Sequence, residues 1–194
     1  MMTHKTNHPI HPLIANRWSA RAMSGEAVTE QELTSLFEAA RFAPSSYNGQ
    51  PWSFLYAKKG TPHWDLFFNL LVPFNQQWCV NASVLGVSLG RKAFAHNNKP
   101  CRTHAYDTGA AWALLSIEGC HLGLAIRGME GFDYEKARKE LRIPDEYEIL
   151  AMFAVGRPGP KEGLPKELQA KEMPATRKPI EEFAFEGTYK KSSA

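Results

Sequence analysis

The chain has 194 residues, with 43% hydrophobic and 22% charged residues and a formal net charge of +3. This length suits one domain with a sizeable core, and the composition is that of a globular protein rather than a disordered one. The mild positive charge does not indicate a nucleic-acid-binding protein, because such proteins concentrate their basic residues in a patch.

The cysteines and the hydropathy of the sequence argue against several further classes of protein. Cys79, Cys101 and Cys120 lie far apart and form no CxxC pair, so they predict neither a disulfide framework nor a zinc site. The opening residues MMTHKTNHPIHP lack the apolar core of a signal peptide, and no run reaches the ~18 apolar residues of a membrane span. We therefore expect a cytoplasmic protein without a membrane partner, a nucleic-acid partner or a bound metal.

The first half of the chain predicts helices followed by a strand. HPLIAN at 11–16 is a short helix candidate. Thr29 and Glu32 have the spacing of a capping box, and apolar residues at helical spacing follow until Pro44, which disfavours further helix. The aromatic-rich segment WSFLYA then predicts a strand at 52–57, and a short helix is expected at 63–71.

The second half predicts two more strands, two more helices and an arm. Strands are expected at 82–89 and 148–155, and helices at 108–126 and 134–141. The longer helix carries apolar residues on nearly all sides, so we expect it to be central and buried. Its three glycines are favourable only if a partner helix or a ligand packs closely against it. The last residues are rich in proline and charge, which divides the chain into a core (1–156) and an extended arm (157–194) that crosses to a partner or is a frayed tail.

Two stretches have side chains suited to an anion. Arg17 and Arg21 are four residues apart and could face one doubly charged group such as a phosphate, with Ser19 between them as a further donor. Arg177, in the arm, could complete such a site. The alternative in both places is a solvated basic segment.

Two further stretches suit a planar heterocycle. The loop RFAPSSYNGQPW at 41–52 displays serines and amides between aromatic side chains, as a ring with donors and acceptors on its edge requires. In RGMEGF at 127–132, two glycines three residues apart would let the backbone approach a ligand closely. The alternatives are a helix-ending loop and a glycine C-cap. The sequence contains no GxGxxG or GxxxxGK[ST] motif.

The order of these pieces resembles the nitroreductase family of FMN-dependent oxidoreductases over residues 11–183. The matching segments are NRWSAR, AARFAPSSYNGQPWSF, PFNQQWCVNASVL, TGAAWALL, LGLAIRGMEGFD, EILAMFAVG and RKPIEEF. The resemblance implies an α+β fold, with a mixed, mostly antiparallel sheet flanked by helices around a long central helix. It also implies a domain-swapped homodimer with two FMN sites at the subunit interface and the C-terminal arm packed on the partner.

The resemblance assigns roles to individual residues. Arg17 and Ser19, with Arg177, would hold the FMN phosphate, while Arg21 at the N1/C2 edge of the ring would stabilise the anionic reduced flavin. Asn75 would bind the pyrimidine edge, and the loop from Pro44 to Gln50 would come from the other subunit. The complete set of expected FMN contacts is Arg17, Trp18, Ser19, Arg21, Pro44, Ser45, Ser46, Asn48, Gln50, Asn75, Met129, Glu130, Gly131, Arg157 and Arg177.

Three departures from the family pattern affect the expected site. Trp78 stands where some members carry a lysine, so a second positive charge near the ring is missing. Gly128 replaces a proline found in many members. Ala175 replaces a second lysine, whose charge Arg157 could supply.

The resemblance implies an enzyme that moves two electrons from NAD(P)H to nitroaromatic, quinone or similar conjugated acceptors by a ping-pong mechanism. No catalytic side chain is expected, because the cofactor carries the chemistry. One alternative is a specialised member, such as a dehalogenase, an enoate-type reductase or a flavin-destroying enzyme. The other is a flavin-binding sensor or carrier without turnover. The sequence does not distinguish NADH from NADPH.

Overall fold

A computed structural model describes residues 3–189, which form an α+β fold around one antiparallel sheet. The helices of this part of the chain are α1 (Pro12–Asn16), α2 (Glu30–Arg41), α3 (Trp64–Phe68), α4 (Pro73–Cys79), α5 (His104–His121), α6 (Tyr134–Glu140) and α7 (Lys166–Gln169). The strands are β1 (Trp52–Lys58), β2 (Val84–Arg91), β3 (Ala125–Met129) and β4 (Tyr147–Gly156). Their order is β1-β2-β4-β3, and all three neighbouring pairs are antiparallel. The predicted fold class is thus confirmed, with β4 central as expected.

The core lies on both faces of the sheet, because alternate residues of each strand point to opposite sides. In β4, Met152 and Ala154 pack into one apolar cluster, whereas Phe153 and Val155 pack into the other. The Phe153 ring lies so close to Gly86 of β2 that a Cβ there would come within 3.0 Å of three ring carbons. Among the described residues, no helix is both long enough and apolar enough to cross a lipid bilayer.

The N-terminus of α2 has the predicted capping box. The Thr29 hydroxyl accepts a hydrogen bond from the Glu32 amide at 3.2 Å, and the Glu32 carboxylate accepts one from the Thr29 amide at 2.8 Å. Two backbone donors that a helix start leaves unpaired are thereby satisfied. Leu33 and Leu36 on the inner side of the helix are buried, and α2 packs against α5.

The predicted helix at 108–126 is wrong at its C-terminal end. Helix α5 ends at His121, and Gly123 follows with a φ of +71°, the left-handed conformation that commonly ends helices. Residues 125–129 then form the edge strand β3, in which Arg127 stands opposite Ala154 of β4. Short apolar runs fit both a helix and a strand, so periodicity alone did not separate them.

Only one side of α5 is buried within the chain. Ala111 and Leu115 pack in the core, whereas Tyr106 is 80% exposed and Gly109 has no atom within 4 Å of the position its Cβ would take. Ala113, seven residues after Tyr106 and therefore on the same side, is also exposed. The expectation of burial on nearly all sides is not met by a single chain.

The C-terminal arm predicted from residue 157 has two parts that differ in burial. Pro158 forms a β-bridge with Met23, and Leu164 and Leu168 are buried in the main core. These contacts continue to Glu172, which is 4% exposed. Residues 173–189, by contrast, are largely exposed. The part that extends away from the core therefore begins at about residue 173.

Candidate functional site

A polar cavity of about 190 Å³ lies where the N-terminal segment, strand β3 and the C-terminal segment meet. The N-terminal side contributes Trp18, Ser19 and Arg21, directly after α1. Strand β3 contributes Arg127, and Arg177 closes the cavity from the C-terminal side. The other residues around it are His4, Lys171, Met173 and Ala175. Its charged side chains are all positive, which makes it a candidate anion site.

Arg177 lines the cavity, and Arg17 lies near Arg177 and beside Ser19. Arg17 donates a hydrogen bond to the Ser19 hydroxyl at 3.4 Å. Arg177 donates to the carbonyls of Ala175 at 2.9 Å and Thr176 at 3.0 Å. Burial lowers the pKa of the Arg17 guanidinium, and the nearby positive charge of Arg177 lowers this pKa further. A bound anion would relieve this repulsion, so the two arginines suit a phosphate.

Glu172 anchors the backbone of the Arg21 segment beside the cavity. One carboxylate oxygen of Glu172 accepts hydrogen bonds from the backbone amides of Arg21 at 2.7 Å and Ala22 at 2.8 Å. Its second oxygen lies 3.9 Å from Arg21 Nη1. Within residues 3–189, neither this second oxygen nor Arg21 Nε has a hydrogen-bond partner. Arg21 is therefore fixed at its backbone while its head group keeps unused donors.

Arg127 is a site residue that the sequence did not single out. Its guanidinium donates to the Ser19 carbonyl and lies 5.5 Å from the ring centre of Trp78. Burial lowers the pKa of Arg127 to about 10, and the charge of Arg21 acts in the same direction. The segment RGMEGF was recognised as a candidate, but Arg127 faces the cavity because of its place in β3, and β3 was not predicted.

Helix α4, which was not predicted either, lies beside Arg127, whose guanidinium is over the Trp78 ring. The Asn75 amide donates to the Gly131 carbonyl at 2.9 Å and accepts from Trp78 Nε1 at 3.2 Å. A Cβ at position 131 would lie 2.7 Å from Asn75 Nδ2, so this contact requires glycine. Met129 is buried next to this pair, whereas Glu130 is exposed. The fold therefore brings Asn75, Met129 and Gly131 together near Arg127.

The predicted loop at 44–50 is held by α5. The Ser46 amide donates to the Asp107 carboxylate at 3.1 Å, and the Thr103 hydroxyl donates to Ser46 Oγ at 2.8 Å. Three of the loop's residues, Tyr47, Asn48 and Gln50, have φ values of +53°, +53° and +43°, a conformation that non-glycine residues adopt at a cost. Such strain persists only where the surroundings enforce it, and it is concentrated at functional sites.

This loop and the arginine cavity are not brought together within one chain. The loop leads into β1, and Arg127 lies in β3, at the opposite edge of the sheet. With neighbouring strands ~4.8 Å apart, three spacings separate these edges by ~14 Å. Pro44, Ser45, Ser46, Asn48 and Gln50 therefore form a second polar surface, separate from the cavity.

Arg157 lies outside the cavity. Its Nη2 donates to both carboxylate oxygens of Glu32 at 2.9 Å, and its Nε lies 3.9 Å from Glu26. These partners belong to the start of α2 and the segment before it. The expectation that Arg157 replaces a phosphate-binding lysine is not supported by this position. Arg177 is the arginine that lies with Arg17.

Comparisons with known proteins agree with this fold. A family model described as "Nitroreductase family" matches residues 14–63. No curated protein matches the chain significantly. The crystal structure of an oxidoreductase containing FMN is 37% identical, with 97% of each chain covered and a TM-score of 0.93.

Two more distant structures share the fold. A candidate NADH dehydrogenase/NAD(P)H nitroreductase of Parabacteroides distasonis ATCC 8503 is 24% identical, with 91% of this chain and 96% of that chain covered and a TM-score of 0.70. A candidate nitroreductase of Desulfovibrio desulfuricans in complex with FMN is 21% identical, with 95% and 100% covered and a TM-score of 0.72. Considered with the 37% identity over almost two whole chains, these matches show that the chain belongs to the nitroreductase family.

Proposed function

We propose that this protein is an FMN-dependent oxidoreductase of the cytoplasm that acts as a homodimer. The observation that carries this proposal is the convergence of Arg21, Arg127 and Arg177 on one cavity, with Arg17 near Arg177 and Glu172 as the nearby carboxylate. The solved structure that is 37% identical is described as an oxidoreductase containing FMN. Family membership and the chemistry of the cavity therefore support the same cofactor.

The residues around the cavity fit FMN at both of its ends. Arg17, Ser19 and Arg177 would hold the phosphate, because two guanidiniums without carboxylate partners among the described residues match a group with two negative charges. Arg21 and Asn75 would hold the flavin ring at its pyrimidine edge. The unpaired Arg21 Nε is a donor that such an edge would satisfy.

The homodimer is proposed because one chain supplies only part of this site. The loop from Pro44 to Gln50 lies at the sheet edge opposite Arg127, and its residues Pro44, Asn48 and Gln50 are exposed, so that another molecule can reach them. The open side of α5 around Gly109 offers the close approach that a second copy of this helix requires. In such a dimer, the loop of one subunit would complete the cavity of the other, and residues 173–189 would pack on the partner.

The redox chemistry is that of FMN, which carries two electrons from NAD(P)H to nitroaromatic, quinone or similar conjugated acceptors in a ping-pong cycle. The chain's own residues bind and orient the cofactor, and the arginines set the positive potential around its ring. No side chain is needed as a nucleophile. The choice of NADH and NADPH as donors rests on the family resemblance.

The test begins with the visible spectrum of the purified protein, alone and after addition of FMN. We expect a bound flavin that is bleached rapidly by NADH or NADPH without oxygen and is restored by menadione. A colourless protein that binds no added FMN would overturn the cofactor assignment. A flavin that is bound but not reduced by either nucleotide would instead indicate a sensor or carrier.

A further inference from the structure

Arg127 has more hydrogen-bond donors than the described chain satisfies. A guanidinium has five N–H donors. Among the described residues, the guanidinium of Arg127 donates to the Ser19 carbonyl. The side chain is half-buried and borders the cavity, with its charged group 5.5 Å from the centre of the Trp78 ring. Its remaining donors can therefore reach a ligand inside the cavity.

The charge of Arg127 is also uncompensated at close range. Among residues 3–189, no carboxylate lies within the 4.0 Å of an ion pair with it. Glu172 is near enough to act on it, but this carboxylate already binds two backbone amides and faces Arg21. A pKa of about 10 leaves Arg127 positively charged at neutral pH. A half-buried cation next to a second cation is unfavourable for folding alone and favourable for binding an electron-rich ligand.

The contacts of Arg127 place it beside helix α4. Trp78, over which it lies, donates to Asn75, so Arg127 belongs to the α4 side. Arg17 donates to the Ser19 hydroxyl, and Arg177 contacts His4 at 3.4 Å. The charge of Arg21 contributes to the lowered pKa of Arg127, so these two cations lie close enough to interact.

We propose that Arg127 is an additional cofactor-contacting residue, which binds the pyrimidine edge of the flavin beside Arg21 and favours the reduced over the oxidised cofactor. This inference rests on the proposed FMN site. Reduction adds negative charge to that edge, so a nearby cation stabilises the reduced form more strongly. Some family members carry a lysine near the ring at the position of Trp78. Arg127 would supply the positive charge that is missing there.

The test compares wild type with Arg127→Met and Arg127→Lys. Methionine keeps an unbranched apolar chain over Trp78 and removes the charge, whereas lysine restores the charge. Lys139→Met removes an exposed charge on α6 and serves as the matched control. Two quantities are measured for each variant: the dissociation constants of oxidised FMN and of riboflavin by fluorescence titration, and the midpoint potential of the bound FMN by dye equilibration.

We expect Arg127→Met to weaken FMN and riboflavin binding by the same factor, ~10-fold, because a charge-assisted contact to the ring is shared by both flavins. The reduced cofactor should lose ~10-fold more affinity than the oxidised one, which lowers the midpoint potential by ~30 mV for a two-electron couple. Arg127→Lys should recover most of both quantities, and Lys139→Met should match wild type.

Different outcomes separate this inference from the proposed function. If wild type binds neither flavin, the FMN proposal fails. If wild type binds FMN and Arg127→Met has the same affinities and potential, the Arg127 inference alone fails. A loss confined to FMN, with riboflavin binding unchanged, would place Arg127 at the phosphate and overturn its assignment to the ring.

Thermal unfolding of the flavin-free protein distinguishes a binding role from a structural one. Because the Arg127 charge has no close carboxylate partner, we expect Arg127→Met to unfold at the same or a higher temperature than wild type. A clear decrease would indicate that Arg127 holds the fold together and would overturn the binding role. If the methionine variant gives no folded protein, Arg127→Gln takes its place in all measurements.

Discussion

The positions of Arg17 and Arg177 predict that their substitution affects binding of the FMN phosphate and not of the flavin ring. Replacing Arg177 with alanine removes a charge-assisted contact, which is worth about 1.5–3 kcal/mol, so FMN should bind ~10–100-fold more weakly. Riboflavin lacks the phosphate, and its affinity should hardly change. Fluorescence titration with both flavins measures the difference.

Arg157→Ala is the matched control for this experiment. Arg157 binds Glu32 at 2.9 Å and lies outside the cavity, so its loss should leave the preference for FMN over riboflavin intact. If Arg157→Ala abolished that preference and Arg177→Ala retained it, the assignment of the two arginines would have to be exchanged.

The close packing around Gly86 predicts that a larger residue there destabilises the fold. An added methyl group would come within 3.0 Å of three carbons of the fully buried Phe153 ring, and overpacking of this kind typically costs about 1–3 kcal/mol. Gly86→Ala should therefore lower the free energy of unfolding by that amount in urea titrations. Gly163→Ala, at an exposed position with no atom within 4 Å, should leave it nearly unchanged. Equal stability of the two variants would refute this account of the core.

At the level of single elements, the capping box of α2 predicts a pH dependence. Hydrogen bonds from Thr29 hold the pKa of Glu32 below its ordinary value of 4.5, and Arg157 contributes in the same direction. A carboxyl whose pKa is lower in the folded chain stabilises the fold while it is ionised. This contribution is fully present above pH 4.5 and is lost as the pH falls through the lower, folded-state pKa.

Glu32→Gln can keep the capping geometry but loses the charge, so it should be less stable than wild type at pH 7 by about 1 kcal/mol, the difference between a charge-assisted and a neutral hydrogen bond. The difference should shrink as the pH falls below 4.5. Glu38→Gln, on the same helix, removes only an exposed ion pair with Arg41 and should cost much less. Urea titrations at several pH values measure both variants; a difference that is constant with pH would contradict the role of the Glu32 charge.

Elements with local signals could be predicted from the sequence, and elements without them could not. Thr29 and Glu32 are three residues apart, so the start of α2 was evident from the sequence. Strand β3 was missed because the apolar residues around Ile126 continue the pattern of α5, and only the left-handed Gly123 separates the two elements. Leu164 and Leu168 are isolated apolar residues in a proline-rich segment, so their burial gave no periodic signal.

At the scale of the whole molecule, site residues that are neighbours in the sequence could be predicted, whereas those that the fold brings together could not. Arg17, Ser19 and Arg21 stand together in the sequence, and the motif they form could be recognised. Arg127 and Glu172 reach the cavity through β3 and the C-terminal segment, more than 100 residues away along the chain. Contacts of this kind depend on tertiary structure, and neither composition nor spacing reveals them.

If the exposed side of α5 is the dimer interface, a large residue at Gly109 should prevent dimer formation. Nothing lies within 4 Å of a Cβ at Gly109, so Gly109→Leu should not disturb the fold of one chain and should favour the helix by about 1 kcal/mol. If a second chain packs there, leucine prevents its close approach. We then expect a monomer that retains no FMN, as measured by sedimentation and the visible spectrum.

Lys139→Leu is the control for assembly, because it also places a leucine on an exposed helix position. It should remain dimeric and yellow. A Gly109→Leu protein that is still a dimer with bound FMN would show that this side of α5 is not the interface.

The bond between Glu172 and the backbone of Arg21 has a consequence for protein synthesis. The two residues are 151 positions apart, and a chain emerges from the ribosome with its N-terminal end first. The arginine segment is thus made early but lacks its carboxylate anchor until Glu172 has been synthesised, 151 positions later. A chain that is truncated before Glu172 lacks both this anchor and Arg177, so incomplete translation products should compete poorly with finished protein for the cell's free flavin.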